Sequence, residues 1–162
     1  MRFAPAACWR RALLSPTLVW YTERMKDCIY CKIVRGTLPT TKVYEDEHVI
    51  AILDINPVSQ GHTLVIPKSE NSNNILDISE DDWLAVSRIV HKIAPAVEKG
   101  VGADGVNIVM NNRSHAGQVI DHPHVHIIPR FKGDGLRQWS HSKYKEGEAP
   151  AIGDKIRAAL QN

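Results

Sequence analysis

His122-Pro123-His124-Val125-His126-Ile127-Ile128-Pro129-Arg130 alternates histidine with apolar residues, and that alternation has the period of a β-strand. Successive side chains of a strand point to opposite faces. His122, His124 and His126 therefore line one face, while Pro123, Val125 and Ile127 point toward a core. At a rise of ~3.3 Å per residue, neighbouring imidazoles stand about 7 Å apart. Pro123 has no N–H for a ladder, which puts the start of this strand at an edge or just outside the pairing; Pro129 marks its end.

The segment feeding the strand, Asn111-Asn112-Arg113-Ser114-His115-Ala116-Gly117-Gln118, carries amides, a hydroxyl and a guanidinium. Gly117 lets backbone N–H groups approach a ligand closely. Two chemistries fit such a constellation. As metal ligands, three histidines in sequence diverge and need a fourth group from elsewhere. As a nucleophile, a neutral imidazole attacks phosphorus near pH 7, and water resolves the labile N–P bond. The loop would then hold the phosphate oxygens. Burial with hydrogen bonding alone accounts for a lone histidine, but not for three at strict period two beside this loop. The loop tips the reading toward phosphate.

Upstream, Asp27 to Val34 reads as a short helical turn ended by Gly36 and Pro39. Val43-Tyr44 and Val49 to Leu53 read as a hairpin around Glu45-Asp46-Glu47. A third strand, His62 to Ile66, follows Gly61 and stops at Pro67. Ser79 is an N-cap with Asp82 three positions on, and Trp83, Val86, Ile89, Val90, Ile93 and Val97 form one helical stripe. Pro95 predicts a late kink, and Gly100 with Gly102 the end of that helix. Val106 to Met110 is a fourth strand, and Ile152 to Leu160 a short terminal helix. The class is α+β: an antiparallel sheet of about five strands, one long helix and a short N-terminal helix.

The chain has 162 residues, a net charge of +2 and no dense Lys/Arg stripe, which argues against nucleic acid and membrane surfaces as partners. No apolar run of ~20 residues predicts a membrane helix. Three cysteines argue against a disulfide framework and for a reducing compartment, so the expected location is cytoplasmic. Cys28 and Cys31 form a Cys-x-x-Cys pair that reads as half a zinc site, a redox pair or two core thiols; no thioredoxin-like pattern surrounds it. Residues 1–24 are basic and acid-poor before Glu23. They read as an over-extended start ahead of Met25 or as a transit peptide, which would make the protein mitochondrial. The domain is placed at 27–137, with a tail at 138–162.

These segments resemble the histidine triad family, in family order. They are Cys28-Ile-Tyr-Cys-Lys-Ile-Val-Arg-Gly, Val43-Tyr-Glu-Asp-Glu-His, Leu53-Asp-Ile-Asn-Pro, Gly61-His-Thr-Leu-Val-Ile-Pro-Lys, Ala116-Gly-Gln and the His-x-His-x-His run. The resemblance implies a hydrolase of the Hint-like branch that cleaves a phosphoanhydride or phosphoramidate bond at the α-phosphate of an adenosine nucleotide. Its substrate would be a nucleoside phosphoramidate or a dinucleoside polyphosphate. His124 resembles the nucleophile that forms a nucleotidyl-histidine intermediate, with His122 and His126 as flanking partners. Asn111 and Gln118 match residues on the phosphate and leaving-group side, and His62 matches a fourth histidine near the phosphate. Asp54 corresponds to the ribose acceptor, and Ile29 and Ile55 are similar to residues packing on a purine. Gly117 completes the nucleotide-binding set.

No cofactor is required by this resemblance, although some members hold a structural zinc. Cys28, Cys31, Glu70 and His122 occupy the corresponding positions, with Glu70 where those members have histidine. Val119 stands where many members have Ser or Thr, and Asp121 where an aromatic is usual. A homodimer is implied. The alternatives are a nucleotide-binding or interaction protein with little catalysis, favoured by Val119, and a metal-dependent enzyme using the histidine ladder.

Overall fold

A computed structural model describes residues 28–137 and 139–161. The segment 1–24 lies outside the described residues. In chain order the elements are α1 (Ile29–Val34), β1 (Lys42–Glu45), β2 (Val49–Leu53), β3 (Thr63–Pro67), α2 (Glu80–Val101), β4 (Gly105–Val109), β5 (Val125–Arg130) and α3 (Glu148–Ala159). The strands form one antiparallel sheet in the order β1-β2-β3-β5-β4. No described helix is long and apolar enough to cross a membrane.

The central strands are apolar on both faces because both faces are covered. Val49 and Ala51 of β2, Val65 of β3, and Val125 and Ile127 of β5 pack with Val86, Ile89, Ile93 and Val97 of α2. The intervening residues Ile50, Ile52, Leu64 and Ile66 pack on the opposite face with Ile33 of α1. Fully burying one such aliphatic side chain contributes about 1.5–3 kcal/mol. The helical stripe thus fixes which residues of β5 face α2, and the remainder must face α1.

Helix α2 starts as its sequence implies. Ser79 Oγ accepts the Asp82 N–H, and Glu80, Asp81 and Asp82 sit in the first turn, where the helix dipole favours acids. It runs through Pro95 to Val101 before Gly102, at φ 66, caps it in the left-handed region. Gly61, just before β3, has φ +84, and a Cβ there would lie 2.6 Å from Val101 Cγ1. Glycine is required at this position on both counts.

The two prolines expected to end strands do lie at their ends, Pro67 as the last residue of β3 and Pro129 one before the last of β5, yet both still pair. Pro67 pairs with Val49, and Pro129 pairs with Val106. The reason lies in the β3–β5 pairing, which covers only Thr63 to Val65 against Val125 to Ile127. Pro67 and Pro129 fall beyond it, so each has a strand on one side only and its missing N–H breaks no ladder. The start of β5 agrees with the reading of Pro123, because pairing begins at Val125. His122 and His124 consequently precede the ladder, and only His126 lies within it.

The chain divides after Lys132. Beyond it, α3 starts at Glu148 rather than Ile152, and none of its residues is buried.

Candidate active site

A cavity of about 900 Å³ opens on the α1 face of the sheet. His126 pairs with Leu64, whose side chain packs on that face, so the register delivers the His126 ring to the cavity. His124 lies two residues earlier and also lines it. Helix α1 contributes Ile29, Tyr30 and Ile33, the end of β2 contributes Leu53 and Asp54, and the loop before β5 contributes Asn111, Gly117 and Val119.

Hydrogen-bond partners fix which nitrogen of each ring carries the proton. His124 Nδ1 lies 2.7 Å from the His122 carbonyl oxygen. A carbonyl only accepts, so Nδ1 carries the hydrogen and Nε2 keeps its lone pair. The Val58 backbone N–H donates to His62 Nδ1 at 3.2 Å, which leaves the His62 hydrogen on Nε2. His62 Nε2 is 2.9 Å from His126 Nδ1 and donates to it, so the His126 hydrogen resides on Nε2. One backbone N–H thereby polarises a two-histidine relay that ends in a donor, beside an imidazole that ends in a lone pair. The His124 and His126 rings are 4.9 Å apart.

Burial keeps these rings neutral. It pushes His126 down to about 4, and nearby His124 and His62 add to the effect while Asp54 opposes it. Burial likewise lowers His124 and His62. Asp54 is held by the Asn56 N–H on Oδ1, with Oδ2 3.5 Å from His62 Nδ1. Tyr30 leans on the nucleophile candidate, with ring centroids 5.0 Å apart, and its hydroxyl is pushed up to about 12 by burial and by Asp54 and Cys28.

Of the expected set, His124, His126, Asp54, Ile29, Ile55, Asn111 and Gly117 come together around the cavity. Asn111 Nδ2 reaches the Gly117 carbonyl at 3.4 Å, and Gly117 sits at φ +87. His62 is buried behind His126 and acts through it. One expectation is corrected. Gln118 does not line the cavity. Its Oε1 accepts from the Arg113 N–H and from Asn74 Nδ2, and its Nε2 donates to the Asn73 and Ile120 carbonyls. All four hydrogen-bonding positions of the amide are used, so none remains for a phosphate. Gln118 instead ties the loop to the segment before α2. His122 keeps the orienting role expected of a flanking histidine, through its backbone carbonyl on His124, while its ring lies outside the cavity lining.

The His122 ring belongs to a different cluster. Its Nε2 donates to the Pro67 carbonyl at 2.9 Å, leaving Nδ1 facing Cys28 Sγ at 3.7 Å and Cys31 Sγ at 3.6 Å. Tetrahedral zinc bound at the usual Zn–S and Zn–N lengths holds sulfur and nitrogen ~3.6 Å apart, so these three residues fit zinc as they stand. Burial works against ionisation of Cys28, yet hydrogen bonds to His122 and Cys31 outweigh it and bring the thiol down to about 7. The Glu70 carboxylate is held by the Arg35 guanidinium, and Glu70 is not in this cluster. His126 groups instead with Asp54 and His62, so the histidines of the run do not converge on one ion.

Sequence reasoning did not single out Tyr30, Thr40 and Thr41, which line the cavity, or the Val58 N–H. Tyr30 had a signal, since it lies between Ile29, expected at the purine, and Cys31. The Val58 N–H had none.

Residues 35–133 match the HIT domain family. An uncharacterized HIT-like protein of Methanocaldococcus jannaschii is 48% identical over 108 residues, covering 67% of this chain and 82% of that protein. The adenylylsulfatase HINT3 of Arabidopsis thaliana is 44% identical, covering 68% of this chain and 55% of its own length. The adenosine 5'-monophosphoramidase hnt1 of Schizosaccharomyces pombe is 35% identical over 136 residues, covering 83% of this chain and 98% of its own. Among solved structures, a HIT family member from Bacillus subtilis superposes with a TM-score of 0.76 at 41% identity, covering 82% of this chain and 96% of its own. A zinc-bound histidine triad protein from Mycobacterium smegmatis gives 0.65 at 34%, covering 83% and 99%. With the family matched over more than half its length, this chain belongs to the HIT domain family.

Proposed function

We propose that the chain binds a purine nucleotide and hydrolyses a bond at its α-phosphorus, with His124 as nucleophile. The observation that carries this reading is the His124 Nδ1 contact to the His122 carbonyl, which leaves Nε2 bare at the cavity wall. His124 Nε2 attacks phosphorus, the bond to the leaving nitrogen or oxygen breaks, and the leaving atom takes up a proton from solvent, which the attacking water of the second step gives back. His126 Nε2–H donates to a phosphoryl oxygen as charge develops. Water then attacks the same phosphorus, the P–Nε2 bond breaks, and nucleoside monophosphate leaves with His124 restored. Asp54 accepts from the ribose hydroxyls, Ile29 and Ile55 flank the base, and Asn111 with Gly117 holds the phosphate.

The lining favours a substrate with one ionised phosphoryl group. No Lys or Arg lines this cavity among the described residues; the charged side chain there is Asp54, and the histidines are neutral. A polyphosphate would enter without countercharge, whereas a phosphoramidate brings a single negative charge. The activities carried in the names of the S. pombe and A. thaliana relatives support the same class. A zinc ion on Cys28, Cys31 and His122 would brace α1 against the strand and supply no chemistry to the cavity. The sheet edge at β4, with Ile108 half exposed, supports a homodimer.

The test mixes the full chain with adenosine phosphoramidate or diadenosine tetraphosphate, with and without chelator, alongside His124→Ala. Phosphoramidate turnover that survives chelator and vanishes in the variant is the expected result. Turnover persisting in His124→Ala would sink the proposal. Binding without turnover would favour the reading in which Val119, fully at the mouth, marks a binding protein.

A further inference from the structure

Among the described residues, Arg113 is the one residue other than glycine with a positive φ. Its φ of 71 and ψ of 160 fall in a region nearly reserved for glycine, because a Cβ there crowds the neighbouring backbone. Hydrogen bonds hold it in place. The Arg113 N–H donates to Gln118 Oε1 at 2.7 Å, and the Arg113 carbonyl accepts from the Ala116 and Gln118 N–H groups, each at 3.1 Å. A glycine would make the same bonds without the strain, so the backbone gives no reason for an arginine here. The reason lies in the side chain. It is exposed and has no hydrogen bond or ion pair among the described residues. Its loop neighbour Asn112 is tied down, with Oδ1 accepting from the Ile75 N–H and Nδ2 donating to the Met110 carbonyl. The base of the loop is cavity wall, since Asn111 and Gly117 both line the cavity and bond to each other. Arg113 itself is not part of that lining, so its guanidinium serves what projects from the mouth, where Val119 stands exposed.

We propose that Arg113 is a specificity residue at the cavity rim, selecting phosphoramidates whose leaving amine carries a carboxylate. The assignment rests on hydrolysis at the α-phosphorus. With the base at Ile29 and Ile55 and the ribose at Asp54, the leaving group departs past Asn111 and Gly117. Inside the cavity no Lys or Arg offsets a second negative charge. Outside the mouth Arg113 does, and its planar fork matches the two oxygens of a carboxylate. An amino acid joined to the nucleotide through its nitrogen divides its charges in just this way. The phosphoryl anion stays between His124 and Asn111, and the carboxylate emerges beyond the scissile bond. A phosphate or sulfate bonded to the α-phosphate offers similar oxygens, but its charge adjoins the phosphorus inside the cavity, where the guanidinium is absent.

The experiment compares two adenosine phosphoramidates that differ by one group, the amidates of glycine and of ethylamine, on the full chain. The wild type should prefer the glycine amidate by about 3- to 10-fold in kcat/KM, the scale of an exposed but two-pronged ion pair. The preference should lie in KM, because the rim contact is equal in ground and transition states, and added salt should shrink it. Arg113→Gln keeps the backbone strain and removes the charge, so the preference should vanish. Arg113→Gly should lose the preference too, yet raise the urea midpoint above that of Arg113→Gln as the strain is relieved. Adenosine 5'-phosphosulfate should be indifferent to either substitution. No wild-type preference, or a preference that survives Arg113→Gln, would overturn the proposal. So would a loss on Arg113→Gln for the phosphosulfate alone, and an unchanged midpoint in Arg113→Gly would remove the strain that motivates it. Binding separates this failure from failure of the hydrolase reading. The same pair titrated calorimetrically into His124→Ala should show the preference without turnover, and adding Arg113→Gln should abolish it. Preferential binding with no wild-type turnover would sink the hydrolase and keep the role of Arg113. Equal binding of the pair would sink that role whatever the turnover.

Discussion

His122 and His124 stand two residues apart, both almost wholly buried, and do opposite things. The His124 ring gives its Nδ1 hydrogen to a carbonyl and presents its other nitrogen to an open cavity. The His122 ring gives its Nε2 hydrogen to a carbonyl and presents its other nitrogen to two sulfurs. The backbone bonds are of one kind, and what differs is what faces the free nitrogen. A histidine's role is therefore set by the partner of its bound nitrogen and the surroundings of the other. The two regions are also joined, because the carbonyl that orients His124 belongs to His122.

The sharpest test separates ring from carbonyl. His124→Ala should lower phosphoramidate turnover by at least about 10³-fold while nucleotide still binds, because the attacking nitrogen is gone. His122→Ala removes a ring but keeps the carbonyl. Its turnover should fall less than about 10-fold, or 1.4 kcal/mol. Its stability should fall by about 2–4 kcal/mol, the cost of a large-to-small change in a packed site. Steady-state rates and urea midpoints measured on both variants check this. Equal losses of turnover would erase the distinction between the two residues.

Gln118 sets a second contrast, between a loop that presents groups and the amide beneath that shapes it. Gln118→Leu removes an amide that satisfies the Arg113 N–H and two carbonyls, leaving buried groups unpaired. The expected cost is about 1–3 kcal/mol in the urea midpoint. KM should rise with it, because Arg113 holds an unusual positive φ of 71 that the Gln118 bond supports. An unchanged midpoint would restore Gln118 to the phosphate side.

Acid should then act on the cavity histidines before the carboxylates. His126 is held near 4 in the fold, and His62 and His124 are also lowered, whereas the unfolded chain titrates near the ordinary value of about 6.5. Between about 6.5 and 4 the unfolded state binds more protons, so stability is fully present above that window and falls as pH drops through it. Glu45 is held at about 2 by Lys42 and Lys68, so its contribution is lost only below its unfolded value. Urea midpoints at stepped pH should decline across the upper window, and His126→Gln should flatten the decline. A midpoint that rises on acidification would contradict the neutral-histidine assignment.

What the sequence disclosed follows the reach of each signal. The Ser79 cap, the stripe from Val86 to Val97 and the strand period are local, and they carried the fold and the face of His126. The strand period held for His124 as well as His126, since both line the cavity, and failed only at His122, three residues before pairing begins at Val125. Pro67 and Pro129 do mark the strand ends, but that each still pairs on one side depends on where a third strand stops pairing, which neither neighbourhood encodes. Gln118 misled for a similar reason: its partners Asn73 and Asn74 lie some forty-five residues away in the chain. The Val58 N–H that sets the His62–His126 relay is a backbone group and leaves no mark in side-chain identity.

Val119 offers the smallest effect and a direct probe of the cavity's mouth. It is 87% exposed, lines the cavity beside Gly117 and Ile120, and has no hydroxyl to offer. A serine there adds one donor aimed at the phosphoryl or leaving group without disturbing the core. Stability should stay within about 0.5 kcal/mol, as for exposed sites generally. A net hydrogen bond of about 0.5–1.5 kcal/mol predicts a rise in kcat/KM of about 2- to 10-fold. Where that rise appears is informative. An increase in kcat places the new donor on the transition state, whereas a fall in KM alone places it on the bound substrate. If neither moves for adenosine phosphoramidate, the phosphate does not reach residue 119, and the His124–Asn111 side of the cavity alone holds it.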